Sequence, residues 1–231
     1  MFDRKTFLGA GAFLAALAPR VAGAQLSAPA PGSSPDHDDI PELHMDLPAF
    51  DAILARDAAH KHLFTAKFVE GGLALGTMRT VIRSYGTLGV DAKNVFPVGV
   101  FYHSAVVMAL GDDTWNQLLA PAFPRFPKAF RDDVGAIKTG AGNPYAHRKT
   151  GATFDASLDA LVENTGAHFF ICNVALSGLA SKLAQATNAD PRDVYERVTK
   201  DLQPNVMVAP TGSWAIHAVQ ERHFTLQQTS L

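Results

Sequence analysis

A single cysteine, Cys172, stands in a chain of 231 residues. No disulfide can form within the chain, so the thiol is buried and inert, free and reactive, or paired with another chain. The 20 Lys and Arg are scattered against 22 Asp and Glu, for a formal net charge of −2. Phosphate backbones are bound by clustered Lys and Arg, and no long basic run is present, so no nucleic-acid partner is expected. The apolar run Phe7 to Ala18 is short and rich in Gly and Ala. That excludes a stable membrane span and predicts no membrane contact once the leader is removed. Dinucleotide and P-loop signatures are missing too. Gly9-Ala10-Gly11 belongs to the leader, and Gly140-Ala141-Gly142-Asn143 has neither a Gly-x-Gly-x-x-Gly pattern nor a following Lys-Ser/Thr. No cofactor is expected, and no repeat of about 20–50 residues is visible.

What is present favours a packed core. Apolar residues make up 47% and charged residues 18%, a balance that opposes disorder. Residues 1–24 read as an export leader. Arg4 and Lys5 form a basic start, a weakly apolar run follows, and Ala22-Gly23-Ala24 is a small-residue cleavage signal before Gln25. Asp3-Arg4-Lys5-Thr6-Phe7-Leu8 resembles the twin-arginine export motif, with Lys5 where the second arginine would stand. The expected destination is the bacterial periplasm, by the twin-arginine or the general secretion route. Residues 25–42 carry Pro29, Pro31, Pro35 and Pro41 with Gly32, Ser33 and Ser34, the composition of a flexible linker. The remainder, 43–231, fits one ordinary domain.

Within that domain, periodicity and turn residues alternate. Helical spacing follows Asp46 and Pro48 through Phe50, Ile53, Leu54 and Ala58. A strand is predicted over His62–Val69, and a helix through Ala74, Met78, Val81, Ile82 and Tyr85. Val95–Tyr102 is nearly continuously apolar, as a strand covered on both faces is. A short helix over Asp113–Leu119 precedes an irregular insertion at about 120–151, rich in Pro and Gly. A helix through Phe154, Leu158, Leu161 and Val162, a strand His168–Cys172, and helices Val174–Ala186 and Asp190–Leu202 come next. A strand Val206–Ala209, a helix Ser213–Arg222 and an edge strand Phe224–Leu226 close the chain. This order predicts an α/β fold, a three-layer Rossmann-like domain with a mainly parallel sheet covered by helices on both faces.

In such sheets ligands bind beyond the carboxyl ends of the strands. That rim is predicted to collect Lys67 to Glu70, His103 and Ser104, Cys172 and Asn173, and Thr211 and Ser213. Cys172 ends an apolar strand and stands just before a helix. The free N–H groups at a helix start stabilise an anion, and the thiolate is both the nucleophilic and the persulfide-carrying form of cysteine. A small packed core residue is the competing reading. His103 fits a base or cation beside the thiol, or a hydrogen-bonded strand end. Ser104, Asn173, Thr211 and Ser213 fit anion binding with the backbone N–H groups around them, or capping of the following helices. His60 and His62 share a strand face, but two ligands do not define a metal site, and no metal is expected. Trp115 and Trp214 read as packing residues.

Three segments carry a family resemblance. They are Phe169-Phe170-Ile171-Cys172-Asn173-Val174-Ala175-Leu176, Val98-Gly99-Val100-Phe101-Tyr102-His103-Ser104, and Val206-Met207-Val208-Ala209-Pro210 with Trp214, Ala215 and Gln220. Together they resemble the DsrE/DsrF-like family over roughly Leu47 to Leu226, with Ser104 in place of a glycine common in that family. The resemblance implies a homo-oligomer and, for Cys172, a persulfide that receives and passes on sulfur. A sulfur donor or acceptor, protein or small compound, would then be the partner. Export separates this chain from the cytoplasmic relay partners of the best understood relatives. Two other readings fit the same residues: a non-enzymatic module holding a small ligand or metal, and a structural oligomer without catalysis.

Overall fold

The computed structural model describes residues 43, 45–137, 139–148 and 156–229. The expected leader and linker lie outside the described residues, as do 149–155, which hold the end of the expected insertion and the expected helix start at Phe154.

The chain opens with α1 (Leu47–Leu54). The Asp46 carboxylate accepts from Ala49 N at 2.9 Å and Pro48 sits in the first turn, so the helix starts where backbone N–H groups need a partner. β1 (His60–Ala66) and α2 (Leu73–Thr87) follow, then β2 (Val95–Phe101), every residue of which is buried. After β2 come a 3-10 run, His103–Ala109, and a chain of short helical pieces. These are α3 (Asp112–Thr114), a π-helical turn (Trp115–Leu119), α4 (Ala120–Ala122), a 3-10 turn (Phe123–Arg125) and α5 (Lys128–Val134). α6 (Leu158–Thr165), β3 (His168–Cys172), α7 (Asn173–Thr187), α8 (Pro191–Lys200), β4 (Val206–Ala209), α9 (Gly212–Gln220) and β5 (Thr225–Gln228) complete the domain.

The five strands form one parallel sheet in the order β4-β3-β2-β1-β5. Successive residues of a strand point to opposite faces, and the core divides accordingly. Phe64, Phe101, Phe169 and Ile171 pack with Met78 and Ile82 of α2 and Leu176, Leu179 and Leu183 of α7. Leu63, Phe96, Val98, Val100 and Phe170 pack on the other side with Phe50 and Leu54 of α1 and Ala215, Ala218 and Val219 of α9. The result is the three-layer α/β Rossmann-like fold expected from the alternation of elements. Each fully buried phenylalanine contributes about 2–3 kcal/mol of burial. Gly99 makes room for one of them: a Cβ there would stand 2.7 Å from the ring of Phe169.

Two expectations change. The stretch from Ala120 is not irregular throughout, since α4, a 3-10 turn and α5 lie within it. Its prolines occupy first-turn and cap positions, Pro121 and Pro124 in first turns and Pro127 before α5, where a missing N–H costs nothing. β1 starts two residues earlier than predicted and ends at Ala66. Lys67 to Val69 leave the sheet because the backbone N–H groups of Val69 and Glu70 turn to the Asp133 carboxylate, each at 3.0 Å. Among the described residues no helix is long and apolar enough to cross a membrane.

Candidate functional site

The carboxyl edge of the sheet is built by the ends of β1 to β4. β3 and β4 are neighbours there, with Cys172 in register with Ala209. The helix after β3 packs on one face and the helix after β4 on the other. A divergence of this kind between adjacent parallel strands opens the crevice in which doubly wound folds bind ligands. Cys172 is therefore at the switch point of the sheet. It is the extended residue (φ −71°, ψ 118°) that precedes α7, a helix of 15 residues. Its side chain makes no capping hydrogen bond, and the residue is 7% exposed.

After β4, α9 begins at Gly212, and Tyr102 from the end of β2 presses on that start. A Cβ on Gly212 would lie 2.8 Å from Tyr102 Cβ. Only a glycine lets the β2 end and the α9 start approach so closely. Thr211 caps the same helix, its Oγ1 accepting from Trp214 N at 3.0 Å. Ser213 is exposed in the first turn of α9.

The other predicted rim residues have structural partners. Asn173 is buried, and its Oδ1 accepts from Tyr195 Oη at 2.6 Å, tying α7 to α8. Ser104 Oγ donates to Asp133 Oδ2 at 2.5 Å. His103 is exposed, with a left-handed backbone at φ 49°. Its ring lies 5.6 Å from that of Tyr102, and no hydrogen bond joins it to Cys172. The structure thus places Cys172, Tyr102, Thr211 and Gly212 at the carboxyl edge of the sheet and leaves His103 without a bond to the thiol.

Sequence reasoning missed Asp133. One carboxylate receives the N–H groups of Val69 and Glu70 and the Ser104 hydroxyl, joining the ends of β1 and β2 to α5. Nothing local marks it, because its partners lie 29 to 64 positions away. The Gly140–Asn143 segment is no phosphate loop. Asp112 Oδ1 stands 2.5 Å from where a Cβ on Gly142 would be and accepts from Asn143 N at 2.8 Å, so a carboxylate fills the space an anion would need. In the same connection, His147 bridges Asp112 at 2.8 Å and Asp159 at 3.0 Å, and the hydrogen bonds to Asp159 and then Asp112 raise its pKa.

No family model, curated protein or solved structure matches this chain. The candidate site therefore rests on its own geometry. Among the described residues no three His, Cys, Asp or Glu side chains are grouped so as to hold a metal ion.

Proposed function

We propose that the chain is an exported, DsrE-like sulfur carrier in which Cys172 is the acceptor and donor. The observation that carries this reading is the position of the sole thiol, at the switch point of a parallel sheet and immediately before α7. N–H groups of the first turn of a helix favour negative charge beside them. A thiolate there attacks the outer sulfur of a donor such as thiosulfate. The new S–S bond forms on Cys172 as the donor's S–S bond breaks, and sulfite leaves with the bonding pair. Passing the outer sulfur to an acceptor nucleophile returns the thiolate, with no net redox change in the protein.

Support for export comes from the basic start, the apolar run and the Ala22-Gly23-Ala24 signal. The burial of Cys172 favours a second reading, in which the thiol only packs and the crevice holds a small ligand. Turnover separates the two. Purified mature protein with thiosulfate and cyanide should form thiocyanate, and Cys172→Ser should abolish it. Equal rates for the two proteins would remove the carrier role.

A further inference from the structure

A second cleft lies at the opposite edge of the sheet, where β1 and β5 begin. It is an open cleft of about 360 Å³ lined by His60, His62, Tyr85 and His223, with Lys61 and Arg222 at its wall. That is within the lower range of small-ligand sites. β1 supplies the two histidines from alternate positions, so both face α2, and Tyr85 in the last turns of α2 meets them. The ring centroids of His60 and Tyr85 are 4.2 Å apart, and those of His62 and Tyr85 5.4 Å. Tyr85 Oη is 3.0 Å from His62 Nε2, which fixes the imidazole. His223, left-handed at φ 64°, follows α9 and completes the group.

We infer that this cleft binds a small anion, a carboxylate or a tetrahedral oxyanion. Four observations converge. No Asp or Glu lines the cleft. Three imidazoles and a phenol do, and all four can donate hydrogen bonds. His62 is buried beside the cleft, and its Nδ1 has no hydrogen-bond partner, so the polarity of that imidazole is only half satisfied. The imidazoles are not grouped as metal ligands.

The two permanent cations are largely committed elsewhere. Lys61 Nζ donates to Leu54 O at 3.2 Å, and the Arg222 guanidinium pairs with Asp51 and donates to Ala218 O at 2.6 Å. The imidazoles are thus left as the groups whose charge an anion would draw on. Burial first, and the charge of His60 second, lower the pKa of His62. An anion in the cleft beside these rings would offset both effects, so binding is linked to proton uptake.

The test is a ring-carbon NMR titration of the nine histidines of the full chain with sodium sulfate and, separately, sodium acetate, against sodium chloride at equal ionic strength. Signals of His60, His62 and His223 should shift together and saturate. Affinity should be at least about threefold higher near pH 6 than near pH 7.5. Saturation by sulfate alone assigns a tetrahedral oxyanion, and by acetate alone a carboxylate. The double variant His60→Gln/His223→Gln should abolish saturation. Tyr85→Phe, which keeps the ring, should weaken binding while leaving the fold unchanged by circular dichroism. Non-saturating shifts, equal shifts at His103 and His168, an equal effect of chloride, or a response of these rings to zinc but to neither anion would each overturn the inference.

Discussion

Cys172 and Ala209 are register partners at the ends of two adjacent parallel strands, and the helices that follow them pack on opposite faces of the sheet. The thiol therefore stands where the covering helices diverge, not within a continuous helical layer. Being only 7% exposed, it is shielded from bulky groups. Reaction in the native state should then depend on reagent size. A methylthio donor should label Cys172, and a bulky aromatic disulfide should lag by about tenfold or more, a gap that denaturation closes. Equal native rates would place the thiol on an open surface. Because no bond joins His103 to the thiol, His103→Ala should leave the small-reagent rate within about threefold.

The seating of α9 against the end of β2 depends on the approach of Tyr102 to Gly212. Gly212→Ala forces a Cβ to 2.8 Å from that side chain. The expected cost is about 1–3 kcal/mol in a denaturant melt, with a changed rate of Cys172 labelling. A melt and a labelling rate both like the parent's would show that the contact does not set the seating of α9.

Asp133 ties the long β2–β3 connection to the end of β1, and Asn143 braces the connection internally. Asn143 is buried, donates to Met108 O at 2.8 Å and Leu110 O at 2.7 Å, and accepts from Tyr145 N at 2.9 Å. Asn143→Ala strands two carbonyls and an amide, and should cost about 3 kcal/mol. Asp133→Ala releases three donors at the ends of β1 and β2 and should cost about 2–3 kcal/mol. Urea melts check both, and a loss below about 0.5 kcal/mol for either would contradict the assigned bonds.

The fold was largely legible in the sequence because its strands are apolar and its helices are bounded by visible caps. β3 and β4 occupy the predicted residues, and Thr211, Asp190 and Gly166 mark helix ends. The connection after β2 was less legible. Its helical pieces are mostly three to seven residues long, too short for periodicity to register. At the rim, chain order alone located Cys172, Thr211 and Ser213. It did not reveal that Ser104 is engaged by Asp133 or Asn173 by Tyr195, since both pairings join distant segments. His60 and His62 were seen to share a face. The tertiary partners that make that face a cleft, Tyr85 and His223, were not.

Histidines give stability opposite slopes with pH. Burial, and then the charge of His60, lower the pKa of His62. Burial, and then the charge of Arg56, lower that of His168. Their unfolded counterparts take up protons first, so stability is full above the ordinary value of 6.5 and falls as pH drops below it. His147 behaves oppositely. Its raised pKa contributes stability that is complete below 6.5 and is lost as pH rises through the raised value. His147→Gln should remove the loss on the alkaline side and leave the acid side unchanged. Melting temperatures between about pH 5 and pH 9 show this directly. A variant curve parallel to the parent's throughout would contradict it.

The sulfur-carrier reading is tested most directly by intact mass. Mature protein incubated with thiosulfate or polysulfide, freed of excess donor and weighed without reductant, should gain one sulfur atom, about 32 Da. The gain should reverse with dithiothreitol and be missing in Cys172→Ser. If folded protein never gains that mass, or Cys172→Ser gains it equally, Cys172 carries no sulfur.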